Sequence, residues 1–237
     1  MVTAPAPTQP ITGNESTEVV TGPSSGVKYA AEAIGTFFLV FTVGAAVGAG
    51  SVFAPLAIGA VLMVMVYAGG HISGGHYNPA VTLSVLVRGR IAVRDAFMYW
   101  IVQFGAGLLA AAVVRGIVDP ARSTTTVTMA LTGHALLAAF VVELLFTFAL
   151  CHVVLNVATS KSHRDNSYFG LAIGFTVLAG AFAVGEISGG AFNPSVTVGA
   201  ALMGMFAWPT LWVYLVAQVI GGAAAGVTFL VLNPDDK

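Results

Sequence analysis

Charge is what this chain lacks most. Asp, Glu, Lys and Arg make up 8% of its 237 residues, where a soluble domain carries about 25%. A chain so poor in charge and 57% hydrophobic cannot clothe a water-facing surface, so it is read as an integral membrane protein. Cysteine is nearly absent too. The single Cys151 excludes an internal disulfide framework and any cysteine-built metal cage, and it is expected to pack as a small apolar residue. A net charge of -1 with no basic run excludes nucleic acid as a partner. No metal cluster, nucleophile elbow or phosphate loop is present, and His134, His152 and His163 are scattered. Neither an enzyme nor a metal or cofactor site is expected.

Long apolar runs are what the chain has. Crossing a bilayer takes roughly 20 apolar residues, and six stretches qualify: about 28–50, 53–71, 95–117, 134–157, 167–185 and 207–232. Residues 1–27 are rich in Pro, Thr and Ser and lack the basic start and apolar core of a signal peptide, so they are expected to be a disordered cytoplasmic tail. The polar stretch 119–133 is expected to be an external loop, and 233–237 a short C-terminal tail. Two pieces beginning at Asn78 and Asn193 are left over. Each offers about ten helix-compatible residues, or about 15 Å of helix, half of a hydrocarbon core.

The chain also repeats itself. HISGGHYNPAVT (71–82) aligns with EISGGAFNPSVT (186–197) at eight of twelve positions. At the same offset Tyr99 and Gln103 fall on Tyr214 and Gln218, and at a slightly smaller one Glu32 falls on Glu143. Repeat one therefore covers about 28–117 and repeat two about 134–232, each with three spans and one short helix. Three crossings leave the chain on the opposite side, so the second copy enters the membrane upside down. The two short helices must then enter from opposite faces and meet near the midplane, N-terminus to N-terminus. Placing both termini in the cytoplasm puts Lys28, Arg88, Arg90, Arg94, Lys161, Arg164 and Lys237 inside, against Arg115 and Arg122 outside. That is the expected positive-inside bias.

Asn-Pro is a helix start: Asn caps, and Pro favours the first helical position. At membrane depth, irregular backbone survives only inside protein or beside a watery cavity. Gly74, Gly75, Gly189 and Gly190 before the two caps are expected to let the chain run extended with its carbonyls exposed as acceptors. The Asn78 and Asn193 amides would then act as donors. Each helix N-terminus carries roughly half an elementary positive charge, so the facing pair repels cations while neutral molecules pass. The device inferred is a channel for small uncharged solutes. A secondary transporter is the alternative, since inverted repeats with broken helices occur there as well.

The paired motifs Asn78-Pro79-Ala80 and Asn193-Pro194-Ser195, the glutamates Glu32 and Glu143 and the inverted repeat resemble the aquaporin (major intrinsic protein) family. The resemblance covers about 28–232, the expected channel domain. It implies an all-α membrane protein of six tilted helices around two re-entrant half-helices, with a pore in each protomer and a homotetramer in the lipid bilayer. The plasma membrane is the expected location. Water and small neutral solutes such as glycerol, hydrogen peroxide, urea or ammonia are the expected passengers. Glu32 and Glu143 match the family's buried loop-bracing carboxylates, and His71 its pore-facing histidine, with His76 bracing the loop.

The chain departs from the family at its outer filter. Most relatives have Arg where Val196 stands, and the other filter positions fall on Ile58, Ala181 and Gly190. All four are uncharged, which implies a filter wider and more apolar than that of a strict water channel. Glu186 stands opposite His71 in the repeat. Three readings of it stay open at this point: it bonds loop N–H groups in place of the missing Arg, it faces the pore, or it is exposed to solvent without consequence.

Overall fold

The computed structural model describes residues 22–119, 129 and 131–236. Residues 1–21 of the expected N-terminal tail and most of the 119–133 loop, with Arg122 and Lys237, lie outside them, whereas residues 25–27 of that tail are not disordered but open the first helix. Six long helices appear: α1 (Ser25–Gly48), α2 (Ala54–Ser73), α4 (Val93–Val113), α5 (Gly133–Val154), α6 (Phe169–Ser188) and α8 (Leu211–Leu232). With 20 to 24 residues each, they are about 30–36 Å long and suffice to cross a membrane. Between them lie two short helices of 9 residues each, α3 (Pro79–Val87) and α7 (Pro194–Leu202). α4 and α5 continue into π turns at Val114–Val118 and Leu155–Thr159.

The pairings obey the repeat. α1 packs on α2 and α4 as α5 packs on α6 and α8, and α2 meets α6 between the halves. Each short helix crosses over: α3 packs on α8, and α7 on α4. Glycines allow these approaches. A Cβ on Gly222 of α8 would stand 2.6 Å from the carbonyl of Ala80, and one on Gly107 of α4 would stand 3.1 Å from that of Ser195. In a bilayer, where lipid is as apolar as any side chain, such close backbone packing is what holds helices together.

The polarity of the fold is that of a membrane protein. Ile34, Phe38, Phe97, Leu145, Phe175 and Trp212 are exposed on the outer faces of the helices, while Glu32, Glu143, Gln103 and Gln218 are fully buried. Cys151 is buried as well, as expected.

Candidate functional site

The centre of the molecule is the pair of asparagine caps. Asn78 Oδ1 accepts from the N–H of Ala80 at 2.8 Å, and Asn193 Oδ1 from that of Ser195 at 2.9 Å. Each amide then reaches into the other repeat. Asn78 Nδ2 donates to the Phe192 carbonyl, and Asn193 Nδ2 to the Tyr77 carbonyl, both at 2.9 Å. These reciprocal bonds fix α3 and α7 end to end, as the odd number of crossings requires. Each NH₂ has two protons, so one is spent on the opposite loop and the other is left for the cavity that both asparagines line.

Behind each cap sits a carboxylate. Glu32 Oε1 accepts from Ser73 Oγ at 2.7 Å and the His76 N–H at 2.9 Å, and Oε2 from the Tyr77 N–H at 2.7 Å and Gln103 Nε2 at 2.9 Å. Glu143 repeats the set with Ser188, Ala191, Phe192 and Gln218. The expected extended glycine run is corrected here. Gly74, Gly75 and Tyr77 have φ of 92°, 63° and 48°, and Gly189, Gly190 and Phe192 have 88°, 65° and 49°. Left-handed residues turn successive N–H groups to one side, making a concave nest for an anion, and the carboxylate fills it. Extended chain would alternate those N–H groups and leave the carboxylate half satisfied. The carbonyls of Gly74, Gly75 and His76, and of Gly189, Gly190 and Ala191, accept no protein bond among the described residues, and all six residues line cavities.

Sequence reasoning saw Tyr99, Tyr214, Gln103 and Gln218 only as marks of the repeat. Tyr99 and Tyr214 donate to the Ser73 and Ser188 carbonyls at 2.7 and 2.8 Å, so these residues hold the loops in place together with the carboxylates. Their matched offset was the available signal.

Two cavities run inward from opposite ends. One, of about 530 Å³, begins at Ser51, Val52 and Glu186, passes all four expected filter residues (Ile58, Ala181, Gly190, Val196) and reaches Asn78 and Asn193. The other, of about 740 Å³, is lined by Lys28, His71, Arg90, Asp95, His163 and Arg164 among others. His71 lies exposed on the last turn of α2 and lines this charged vestibule, and buried His76 lines both cavities. The loop N–H groups of Gly190, Ala191 and Phe192 bond to Ser188 and Glu143, while Glu186 is exposed on the cavity wall.

The charged vestibule has a clasp that sequence reasoning missed. Arg88, the cap after α3, is 3% exposed. Its guanidinium donates to Thr159 Oγ1 at 2.6 Å, to the Asp236 carbonyl at 2.8 Å and to Asp236 Oδ1 at 3.0 Å, and it lies 4.0 Å over the Phe229 ring. Burial alone would raise the Asp236 carboxyl. The Lys161 N–H, the Arg88 guanidinium and the Ser160 hydroxyl outweigh it and hold the group well below the usual carboxylate range. A depressed folded-state pKa gives stability that is complete above the unfolded value of about 3.9 and is lost as pH falls beneath it. Asp236→Asn is therefore expected to lower the melting temperature in detergent at pH 7, with the gap to the parent closing below about pH 4. A gap that persists in acid would assign the loss to something other than the ionised pair.

The comparisons with known proteins agree with this geometry. The family profile Major intrinsic protein matches residues 20–229. Glycerol uptake facilitator protein-like 6 of Lactiplantibacillus plantarum is 38% identical over 216 residues, covering 88% of this chain and 99% of that protein. A probable NIP-type aquaporin of Nicotiana alata is 32% identical, covering 89% and 79%. The X-ray structure of the aquaglyceroporin from Plasmodium falciparum superimposes with a TM-score of 0.72 over 89% of this chain and 98% of that one, at 22% identity, and so shares the fold. The chain belongs to the major intrinsic protein family, the passive membrane channels for water and small solutes.

Proposed function

We infer that this channel carries water together with small uncharged solutes larger than water, glycerol foremost, through a wide apolar outer filter. The observation that carries this reading is the uninterrupted cavity past Ile58, Ala181, Gly190 and Val196. None of the four brings a charge or a hydrogen-bonding side chain, so nothing there demands the small, doubly bonded geometry of a single water. The names of relatives point the same way, since both a glycerol uptake facilitator and a probable aquaporin are among them. Cations are opposed by the facing N-termini of α3 and α7, while Glu186 at the mouth supplies an acceptor for solutes with hydroxyl or amine groups. The buried carboxylates spend both oxygens on scaffold bonds, so neither is free to couple flux to protons.

In this reading the described basic residues at the His71 end face the cytoplasm, with both termini there. The membrane is the plasma membrane, and exposed apolar helix faces meet lipid or other protomers of a homotetramer. The test is osmotic. Vesicles reconstituted with the chain should shrink several times faster than empty ones in an osmotic jump. Glycerol entry should rise linearly with its gradient, without saturation. Shrinkage no faster than that of empty vesicles refutes the channel assignment, and fast water flux with no glycerol entry refutes glycerol as a passenger.

A further inference from the structure

We propose that solutes are selected not at the outer filter but at a neck between His76 and Val154, deeper in the pore. This rests on the channel reading above and deepens it. Of all the residues lining the two cavities, only His76 and Val154 line both. The filter positions lie within the first cavity, whereas the two cavities adjoin at this pair.

The repeat explains why only one half has a neck. The residue equivalent to His76 is Ala191, and the equivalent of Val154 is Val43. Both line the wide cavity without dividing it. A methyl group stands where the other half has an imidazole.

The imidazole is locked. Its Nδ1 lies 3.0 Å from Thr82 Oγ1, and its ring meets Tyr99 edge-on at 5.2 Å. The Thr82 hydroxyl donates to the Asn78 carbonyl at 3.1 Å and accepts from Gln103 Nε2 at 3.0 Å. With the hydroxyl proton spent on that carbonyl, Nδ1 must carry the ring proton and donate, which leaves Nε2 as an acceptor. Among the described residues Nε2 has no protein partner. A passing molecule must therefore donate one hydrogen bond to Nε2 while its other side slides over the methyl groups of Val154. Water fits this, and so does a linear polyol presenting one hydroxyl edge. A branched or planar solute does not.

α3 holds both walls. Its Thr82 fixes His76, and Arg88 at its end binds Thr159, the last residue of the π turn that begins directly after Val154. π turns recur at functional positions, and here one sets the end of α5 against the histidine.

Val154 is the probe of choice, because it contributes only its side-chain volume to the neck. Wild type, Val154→Ala and Val154→Phe are reconstituted into vesicles, and water and glycerol permeabilities are measured on each preparation. Val154→Ala is expected to raise the glycerol-to-water ratio severalfold, and Val154→Phe to lower it by about tenfold. Misfolding cannot produce shifts of opposite sign. Removing the acceptor with His76→Leu should lower the permeability of both solutes despite a side chain of similar reach. If the ratio ignores Val154 while Val196→Ala changes it, selection lies at the outer filter and the proposal is overturned. A wild type that carries neither solute overturns the channel reading itself, and with it this neck.

Discussion

Glu32→Leu is expected to cost the protein about 3–5 kcal/mol of stability and to abolish water flux. Leucine fills a similar volume, so the loss is electrostatic rather than steric. Four donors converge on Glu32: the Ser73 hydroxyl, the His76 and Tyr77 N–H groups and the Gln103 amide. Two of them are backbone N–H groups of the loop that Gly74, Gly75 and Tyr77 turn left-handed, with nowhere else to turn, and each stranded donor costs about 1–3 kcal/mol. Against a total of about 5–15 kcal/mol, that is enough to release the loop, and with it the Tyr77 carbonyl that holds Asn193. Glu143→Leu should behave alike, because its partners are the same by type and nearly the same by distance. Glu32→Gln keeps an acceptor for part of the nest and should fall between. Thermal unfolding in detergent, read beside vesicle shrinkage, checks all three. A Glu32→Leu protein of near-parental stability would show that the loop is held by its glycines alone.

That network was half visible in the sequence. The offsets of Glu32 and Glu143, of the two motifs and of Tyr99 and Tyr214 are linear features, and a count of crossings turned them into an inverted pair of half-helices. What residue order could not supply was direction within the loop. His71 and His76 are five positions apart beside the same glycines, and only the left-handed turn at Gly74, Gly75 and Tyr77 sends one to the vestibule and the other into the pore. Glycine permits extended and left-handed backbone alike, so its presence could not choose between them. Tyr77 and Phe192 give no sign of positive φ, because bulky residues adopt it only where the surroundings impose it. The Arg88–Asp236 clasp joins residues 148 apart. Read alone, the acidic end of the chain looks like a solvated tail. The readings of Glu186 hang on whether Glu143 alone saturates the loop, a question of geometry and not of residue type.

Val196→Arg is expected to reduce glycerol permeability by about tenfold or more while lowering water permeability far less. Val196 is the third residue of α7, next to its capped N-terminus, and its side chain lines the cavity with Ile58, Ala181 and Gly190. A guanidinium there takes space from a cross-section otherwise set by small apolar groups. It also adds a fixed positive charge to that of the helix end, with Glu186 the carboxylate among the described residues lining the same cavity. Its fork of donors can replace water contacts one at a time, but a polyol needs room for its carbon chain beside them. The substitution should thus create a second selection point above the neck. If selection then passes to the filter, the gain in glycerol permeability expected of Val154→Ala should vanish in the double variant Val154→Ala/Val196→Arg. An unchanged glycerol-to-water ratio in Val196→Arg would mean that these four positions do not wall the path. An additive response in the double variant would mean that the two constrictions act in parallel, which a single file through one pore forbids.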